Sequence, residues 1–281
     1  MTSQLHDVPI EVAELDEIHA AEPLGVKPTT DTRMPPGLRL IKSNAGLFVT
    51  PIIVIGGAIA LYLYNQSADT IFSDERALDW DRNLRPQLEQ HLSLTLWSTV
   101  FTVLMAVPLG ILLTRPKYKR AGIPILAVAT SGQAIPAFGL LVLAFAWLGS
   151  SPWTTIWALS LFTLLPVLRN TMVGLEQVDQ NVIEAGRGMG LTKRQALRQI
   201  ELPLAIPVIL AGVRTALVIT VGMASLAFLI GGGGLGTTIS AGLKLSRDLV
   251  LITGAVMTAL VALSVDWIAA LIEKTLRPSG L

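Results

Sequence analysis

The chain has 281 residues, no cysteine, and a formal net charge of +1 at pH 7. Hydrophobic residues make up 52% of it and charged residues only 15%, and its mean hydropathy is +0.60. This composition is more apolar than that of soluble globular proteins. It excludes disulfides and cysteine metal sites, and the near-neutral charge argues against a nucleic-acid partner. The three histidines, His6, His19 and His91, are scattered and give no cluster of metal ligands.

The first 32 residues carry seven acidic side chains against one lysine, with three prolines among them. A signal peptide would place a basic region before an apolar core near Met1, and this segment has neither. We therefore predict that residues 1–40 form an acidic, disordered cytoplasmic tail and that residues 41–281 form the membrane domain.

Six apolar segments follow, and each is long enough to cross a hydrocarbon core of about 30 Å as a helix. Because they lack the alternation of barrel strands, we predict an all-α, polytopic membrane protein. Gly132 and Pro136 predict a kink or a break in the third segment. The predicted spans are 46–64, 91–114, 122–148, 153–173, 203–230 and 249–276.

The charges of the loops predict how these spans are oriented. Basic residues precede the first span, fill the turn 115–120, and recur after the fourth span. The positive-inside rule places all three regions in the cytoplasm, and an even number of spans puts both termini there. The connection 65–90 is richer in acidic residues and is expected outside.

The segment 176–202, between the fourth and fifth spans, is polar and helix-forming, with a glycine break. Asp179 is suited to cap a first short helix, and Thr192 with Gln195 fits a capping box for a second. Pro203 is tolerated in the first turn of the next span. Composition alone leaves two interpretations open. In the first, the segment is a helix at the membrane surface whose arginines contact anionic lipid. In the second, it is a docking site with a rigid elbow, through which a soluble partner moves the spans.

Glu184-Ala185-Gly186 is followed after three residues by Gly190 and then, after nine more, by Ile200-x-Leu202-Pro203. This pattern resembles the EAA motif of ABC importer permeases, with both of the motif's gaps intact. In that family the motif forms the coupling-helix region, which sits in a groove of a cytoplasmic ATPase. The resemblance implies that these residues transmit motion from the ATPase and do not bind solute. One position departs from the pattern, because Gly186 stands for the usual second alanine and should loosen the helix slightly. The residues concerned are Glu184, Ala185, Gly186, Gly190, Ile200, Leu202 and Pro203.

The resemblance extends over roughly residues 92–276. The stretches 165–171 and 212–216 are similar to those of permeases that import quaternary amines such as glycine betaine, carnitine and choline. The glycine-rich segment 230–236 is similar as well, but methionine and phosphonate importers share it. A permease of the same architecture for amino acids or phosphonate is therefore the alternative, followed by a membrane scaffold without transport.

The glycine-rich segment contains two patterns that are similar to nucleotide-binding motifs. Gly231, Gly233 and Gly236 satisfy G-x-G-x-x-G, but four consecutive glycines produce that match trivially. Thr237 stands where a P-loop needs its lysine, so we predict instead an external turn where backbones pack closely. No Ser/His/Asp set or close carboxylate pair is visible, so the sequence predicts no enzyme, no cofactor and no metal site.

Arg214 and Asp266 lie within the fifth and sixth predicted spans, where an unpaired charge is costly. At 1.5 Å per residue Arg214 lies about 16 Å past Pro203 and Asp266 about 12 Å before Lys274, so both lie at a similar depth from the cytoplasmic side. We therefore hypothesise that they form an ion pair. In the alternative, Arg214 extends towards the interface while Asp266 faces water or a neighbouring subunit.

Together with the resemblance, the sequence predicts a multi-pass permease subunit of a bacterial cytoplasmic membrane. The family implies cytoplasmic ATPase subunits, a second permease subunit that is identical or related, and an extracytoplasmic substrate-binding protein. ATP hydrolysis is expected on the ATPase, and selectivity for quaternary ammonium in the binding protein. For the translocation path, polarity or helix distortion alone indicates Gln133, Pro136 and Thr171.

Overall fold

The computed structural model describes residues 36–68 and 70–276, which form helices and turns and contain no strand. The chain divides into two units between Ala45 and Gly46, and the described residues of the first unit, 36–45, are helical. The predicted tail, 1–40, lies mostly outside the described residues. The helices are α1 Pro36–Ser67, α2 Phe72–Ala77, α3 Arg85–Leu113, α4 Lys119–Gln133, α5 Ala137–Leu148, α6 Pro152–Phe162, α7 Leu164–Glu176, α8 Gln180–Gly188, α9 Lys193–Ala196, α10 Leu202–Ala224, α11 Gly236–Lys244 and α12 Asp248–Leu276.

Four helical stretches are long and apolar enough to cross a membrane: Leu47–Ser67, Trp80–Leu113, Lys193–Ala224 and Asp248–Leu276. Two further pairs qualify only when taken together, since α4 and α5 meet at a bend of 98° and α6 and α7 at one of 41°. The predicted six spans are obtained when each bent pair counts as one.

Prolines account for both bends. Pro136 is the N-cap of α5, and it restricts the residue before it to extended backbone, so α4 ends at Gln133. This break was predicted. Pro166 has no N–H for the carbonyl of Phe162, where α6 ends, and its ring would collide with that carbonyl. The second break was not predicted.

The fifth predicted span, 203–230, begins one residue after α10 does but extends six residues past the end of α10. Helical structure already begins at Lys193 and passes through a π turn, Leu197–Glu201, into α10. At the other end α10 stops at Ala224, and a turn and a short 3₁₀ helix, Ala227–Ile230, follow. The π turn widens the coil just before Pro203, whose ring would otherwise meet the carbonyl four residues back.

The core lies where α3, α7 and α10 pack together, through Ala106, Leu113, Val167, Leu168, Met172 and Ala216. Small residues set the close approach of α7 and α10. A β-carbon at Gly212 would lie 2.6 Å from the Asn170 Cβ, and one at Gly174 would lie 3.1 Å from the Ala205 carbonyl oxygen. The stretches 165–171 and 212–216, singled out separately in the sequence, therefore form one interface.

The opposite end of these helices carries α2 and the glycine-rich turn. Asp74 is fully buried and forms an ion pair with Arg247, which precedes α12. The Gln90 side chain accepts a hydrogen bond from Gly234 N at 3.2 Å, and Gly234 has φ +85°. A β-carbon at Gly236 would lie 1.8 Å from the Ser225 carbonyl oxygen, so the predicted close packing of this turn is present.

Candidate functional site

The segment between α7 and α10 is an elbow of two capped helical arms, 176–203. The first arm, α8, begins at Asp179, whose Oδ1 accepts a hydrogen bond from Asn181 N at 2.8 Å, as predicted. It ends in a Schellman motif: Gly190 N donates to Arg187 O at 3.0 Å and Leu191 N donates to Gly186 O at 3.2 Å. Gly190 has φ +94°, a conformation that only glycine adopts at little cost.

The second arm begins with the predicted capping box. Thr192 N donates to Gln195 Oε1 at 2.8 Å, and Gln195 N donates to Thr192 Oγ1 at 3.3 Å. From there the helical structure is continuous with α10. The two arms touch at Gly186, where a β-carbon would lie only 2.3 Å from the Ile200 Cδ1. The glycine that departs from the EAA pattern is thus the point where the arms pack.

Helix α8 presents two different faces. At about 100° per residue, Val182, Ala185 and Met189 lie on one side of the helix. Gln180, Glu184 and Arg187 lie on the other side. The first side projects outward, because the residues Val182 and Met189 are 44% and 81% exposed. Glu184 is exposed on the other side, where its carboxylate accepts a hydrogen bond from the Gln180 side chain at 3.3 Å. An exposed apolar strip on a short, rigidly capped helix is suited to insertion into a groove of a partner.

The base of the elbow is held by an ion pair that was not predicted. The Arg115 guanidinium donates to both carboxylate oxygens of Glu201, at 3.2 and 2.6 Å, and its Nε donates to Ile111 O at 3.2 Å. The Glu201 side chain is 9% exposed and that of Arg115 33%. The contact places the elbow on the same side of the bundle as the basic turn 115–120. The available signal was a carboxylate in an otherwise apolar stretch, between Ile200 and Leu202.

The structure also brings Arg214 and Asp266 together. Arg214 Nε donates to Asp266 Oδ1 at 2.6 Å and Nη2 donates to Oδ2 at 2.8 Å. A second carboxylate, Glu273 Oε2, lies 3.6 Å from Arg214 Nη1. The three side chains are 30–37% exposed, so the cluster lies at the edge of the α10–α12 contact.

The three residues predicted for a translocation path do not come together. Gln133 and Pro136 are exposed at the break between α4 and α5. Thr171 is fully buried; its hydroxyl donates to Val167 O at 2.7 Å, and its methyl group packs against Gly110. Thr171 is therefore a packing residue of the α3–α7 contact. Within the described residues, no group of three or more His, Cys, Asp or Glu side chains is placed to hold a metal ion.

Comparisons with known proteins found a matching family, related permeases and a solved structure of similar fold. The sequence model of the family described as "Binding-protein-dependent transport system inner membrane component" matches residues 106–278. The choline transport system permease protein OpuBB of Bacillus subtilis (strain 168) is 41% identical over 192 residues, which are 68% of this chain and 88% of that protein. The osmoprotectant import permease protein OsmY of Salmonella typhimurium (strain LT2) is 43% identical over 190 residues, covering 68% and 80%. Among solved structures, an inward-facing MetNI methionine ABC transporter is similar in fold, with a TM-score of 0.61 and 23% identity over 69% of this chain and 96% of that chain.

Proposed function

The chain belongs to the family of binding-protein-dependent transport system inner-membrane components, and we propose that it is the permease subunit of an ABC importer for quaternary-amine osmoprotectants. Glycine betaine, carnitine and choline are the solutes that relatives about 40% identical are named for. The observation that carries the proposal is the elbow, whose first arm offers an exposed apolar strip and whose second arm continues into a span. ATP hydrolysis belongs to a separate subunit.

The orientation follows from the Arg115–Glu201 contact. Because it joins the elbow to the basic turn 115–120, the positive-inside rule applies to both at once and favours the cytoplasm for both. The acidic connection and the glycine-rich turn then face outward. With six spans, both termini are cytoplasmic in a bacterial cytoplasmic membrane.

The proposed mechanism is mechanical. The outward strip of α8 seats in a groove of the ATPase, and closure of two ATPase subunits on ATP moves the elbow. The Gly186–Ile200 contact passes this displacement to the second arm, and the continuous helix passes it to α10. The bundle then alternates between outward-open and inward-open arrangements as a two-state rocking motion.

The remaining partners complete the path. A second permease subunit, identical or related, supplies the other wall, and a binding protein outside delivers the solute and provides the cation–π selectivity. We place the second subunit against the bent pair α4–α5, whose apolar side chains are poorly covered within this chain: Ile123 is 78%, Val128 74% and Trp147 86% exposed. Gln133 and Pro136 lie at its break and remain candidates for the path.

The test is reconstitution of the permease with its ATPase and binding protein in vesicles, with uptake of labelled choline, glycine betaine or carnitine measured alongside ATP hydrolysis. Met189→Arg should abolish uptake while the ATPase still hydrolyses ATP, because a charge placed on the exposed apolar strip disturbs the seating of α8. Gln199→Arg, an exposed change on the second arm, is the matched control. Uptake of methionine or phosphonate in place of quaternary amines would refute the solute class. Unchanged coupling in Met189→Arg would refute the role of the elbow.

A further inference from the structure

A cavity of about 720 Å³ lies between the elbow and the ends of the neighbouring spans. Five cationic side chains line it, and they face two carboxylates, Glu176 and Glu201. One of these carboxylates, Glu201, is already paired with Arg115. The other four cations have no carboxylate partner in the part of the chain that the structure describes. The cations are Arg115, Lys119, Arg187, Lys193 and Arg194.

One wall of the cavity lies at the depth of the headgroup layer of a bilayer. Its wall begins at Thr114, one residue after α3 ends, and includes Glu176, the last residue of α7. At 1.5 Å per residue, these positions lie within about 5 Å of the ends of the apolar helices. The headgroup layer on each side of a hydrocarbon core is about 5–7 Å thick.

The cavity lies behind the face of α8 that is proposed to meet the ATPase. Gln180 and Arg187 line it and point about 140–180° away from the exposed strip of Val182 and Met189, and Ile183, which also lines it, points about 100–120° away. A partner seated on the outward strip therefore leaves the cavity wall unoccupied. Ile183 supplies an apolar patch next to the cations.

We propose that this cavity binds the headgroup of an anionic phospholipid. The phosphodiester oxygens of the lipid accept hydrogen bonds from the guanidinium groups of Arg187 and Arg194 and from the Lys119 ammonium. The apolar wall of the cavity contacts the glycerol region of the lipid. Guanidinium groups suit phosphate because their planar forks donate two parallel hydrogen bonds, and a surplus of positive charge at the headgroup layer favours anionic over zwitterionic lipid. The site is independent of the transported solute.

The experiment is a titration of the purified full chain in detergent with phosphatidylglycerol or phosphatidylcholine, with bound lipid counted by native mass spectrometry. The chain should bind phosphatidylglycerol selectively. The double variant Lys119→Gln/Arg194→Gln should weaken that binding about 25-fold, because each cation removed should weaken it about 5-fold. Raising the ionic strength should weaken it further.

The control double variant Arg120→Gln/Arg198→Gln removes two exposed charges from the same turn and the same arm without touching the cavity. It should change lipid affinity less than twofold. Equal affinity for the two lipids, or equal loss in both double variants, would overturn the proposal. So would displacement of phosphatidylglycerol by inorganic phosphate at equal concentration, which would indicate a site for free anions. If the first double variant fails to fold, Arg194→Gln alone is compared with Arg198→Gln. Arg194→Gln should weaken the binding of phosphatidylglycerol about 5-fold, and Arg198→Gln should leave it unchanged.

Discussion

Removal of Arg115 should destabilise the protein more than removal of Glu201, although both break the same ion pair. Arg115→Met leaves behind a carboxylate that is only 9% exposed. An ion stranded in a buried site costs about 3–5 kcal/mol. Glu201→Gln leaves a guanidinium that is 33% exposed, so water replaces part of the lost bonding, and the amide oxygen still accepts one hydrogen bond. Its cost should be about 1–2 kcal/mol.

The assay is the free energy of unfolding of the full chain, measured by titrating mixed micelles with sodium dodecyl sulfate and following the loss of far-ultraviolet circular dichroism. Arg120→Met, an exposed change in the same turn, should cost less than about 0.5 kcal/mol. The double variant Arg115→Met/Glu201→Met leaves no charge behind and should cost about 2 kcal/mol less than the sum of Arg115→Met and Glu201→Met. Equal costs for Arg115→Met and Glu201→Gln, or additive costs in the double-mutant cycle, would refute this reasoning.

Three further predictions concern other parts of the chain. Gly190→Ala should cost about 1–2 kcal/mol in the same unfolding assay because of its φ of +94°, whereas Gly188→Ala, with no atom near its missing β-carbon, should be neutral or slightly stabilising. The guanidinium beside Asp74 holds the pKa of that carboxyl below its ordinary value, so its contribution is present above the unfolded pKa and lost as the pH falls through the lowered one. When the free energy of unfolding is measured as a function of pH, the wild type should lose this contribution below about pH 4, and Asp74→Asn should not. Arg214→Met should cost about 2 kcal/mol in the same unfolding assay, and the added change Asp266→Met should recover most of it, since it removes the carboxylate that made the two short bonds to Arg214. A larger cost in the double variant would contradict this.

The local chemistry of the elbow was predictable and its tertiary contacts were not. Asp179, Thr192 and Gly190 act on backbone groups a few residues away, so their roles can be recognised in the sequence. Arg115 and Glu201 are 86 residues apart, and nothing local reveals that their helix ends meet. Arg214 and Asp266 could be matched because a membrane gives all spans a common axis, along which depth is counted in residues.

Polarity did not identify an exposed surface at Thr171. A threonine in a helix can bond its hydroxyl to the carbonyl four residues earlier, as Thr171 does with Val167. Its presence in an apolar span therefore indicates no aqueous surface. The break at Pro166 was missed for a related reason. The apolar run continues through it, and a proline within a long apolar segment does not reveal how far the helix bends.

Two ion pairs, Arg115–Glu201 and Arg214–Asp266, determine which helices move when the elbow is displaced. Glu201 and Arg214 are 13 residues apart, which corresponds to about 20 Å along the helix and about 140° around its axis. One pair ties this helix to the end of α3, and the other ties it to α12 on a different side. Between them, Gly212 lets α10 pack closely on α7. Because α10 is fastened on separate faces, it cannot slide alone without breaking a charged contact, so displacement of the elbow should move α3, α7, α10 and α12 as one body.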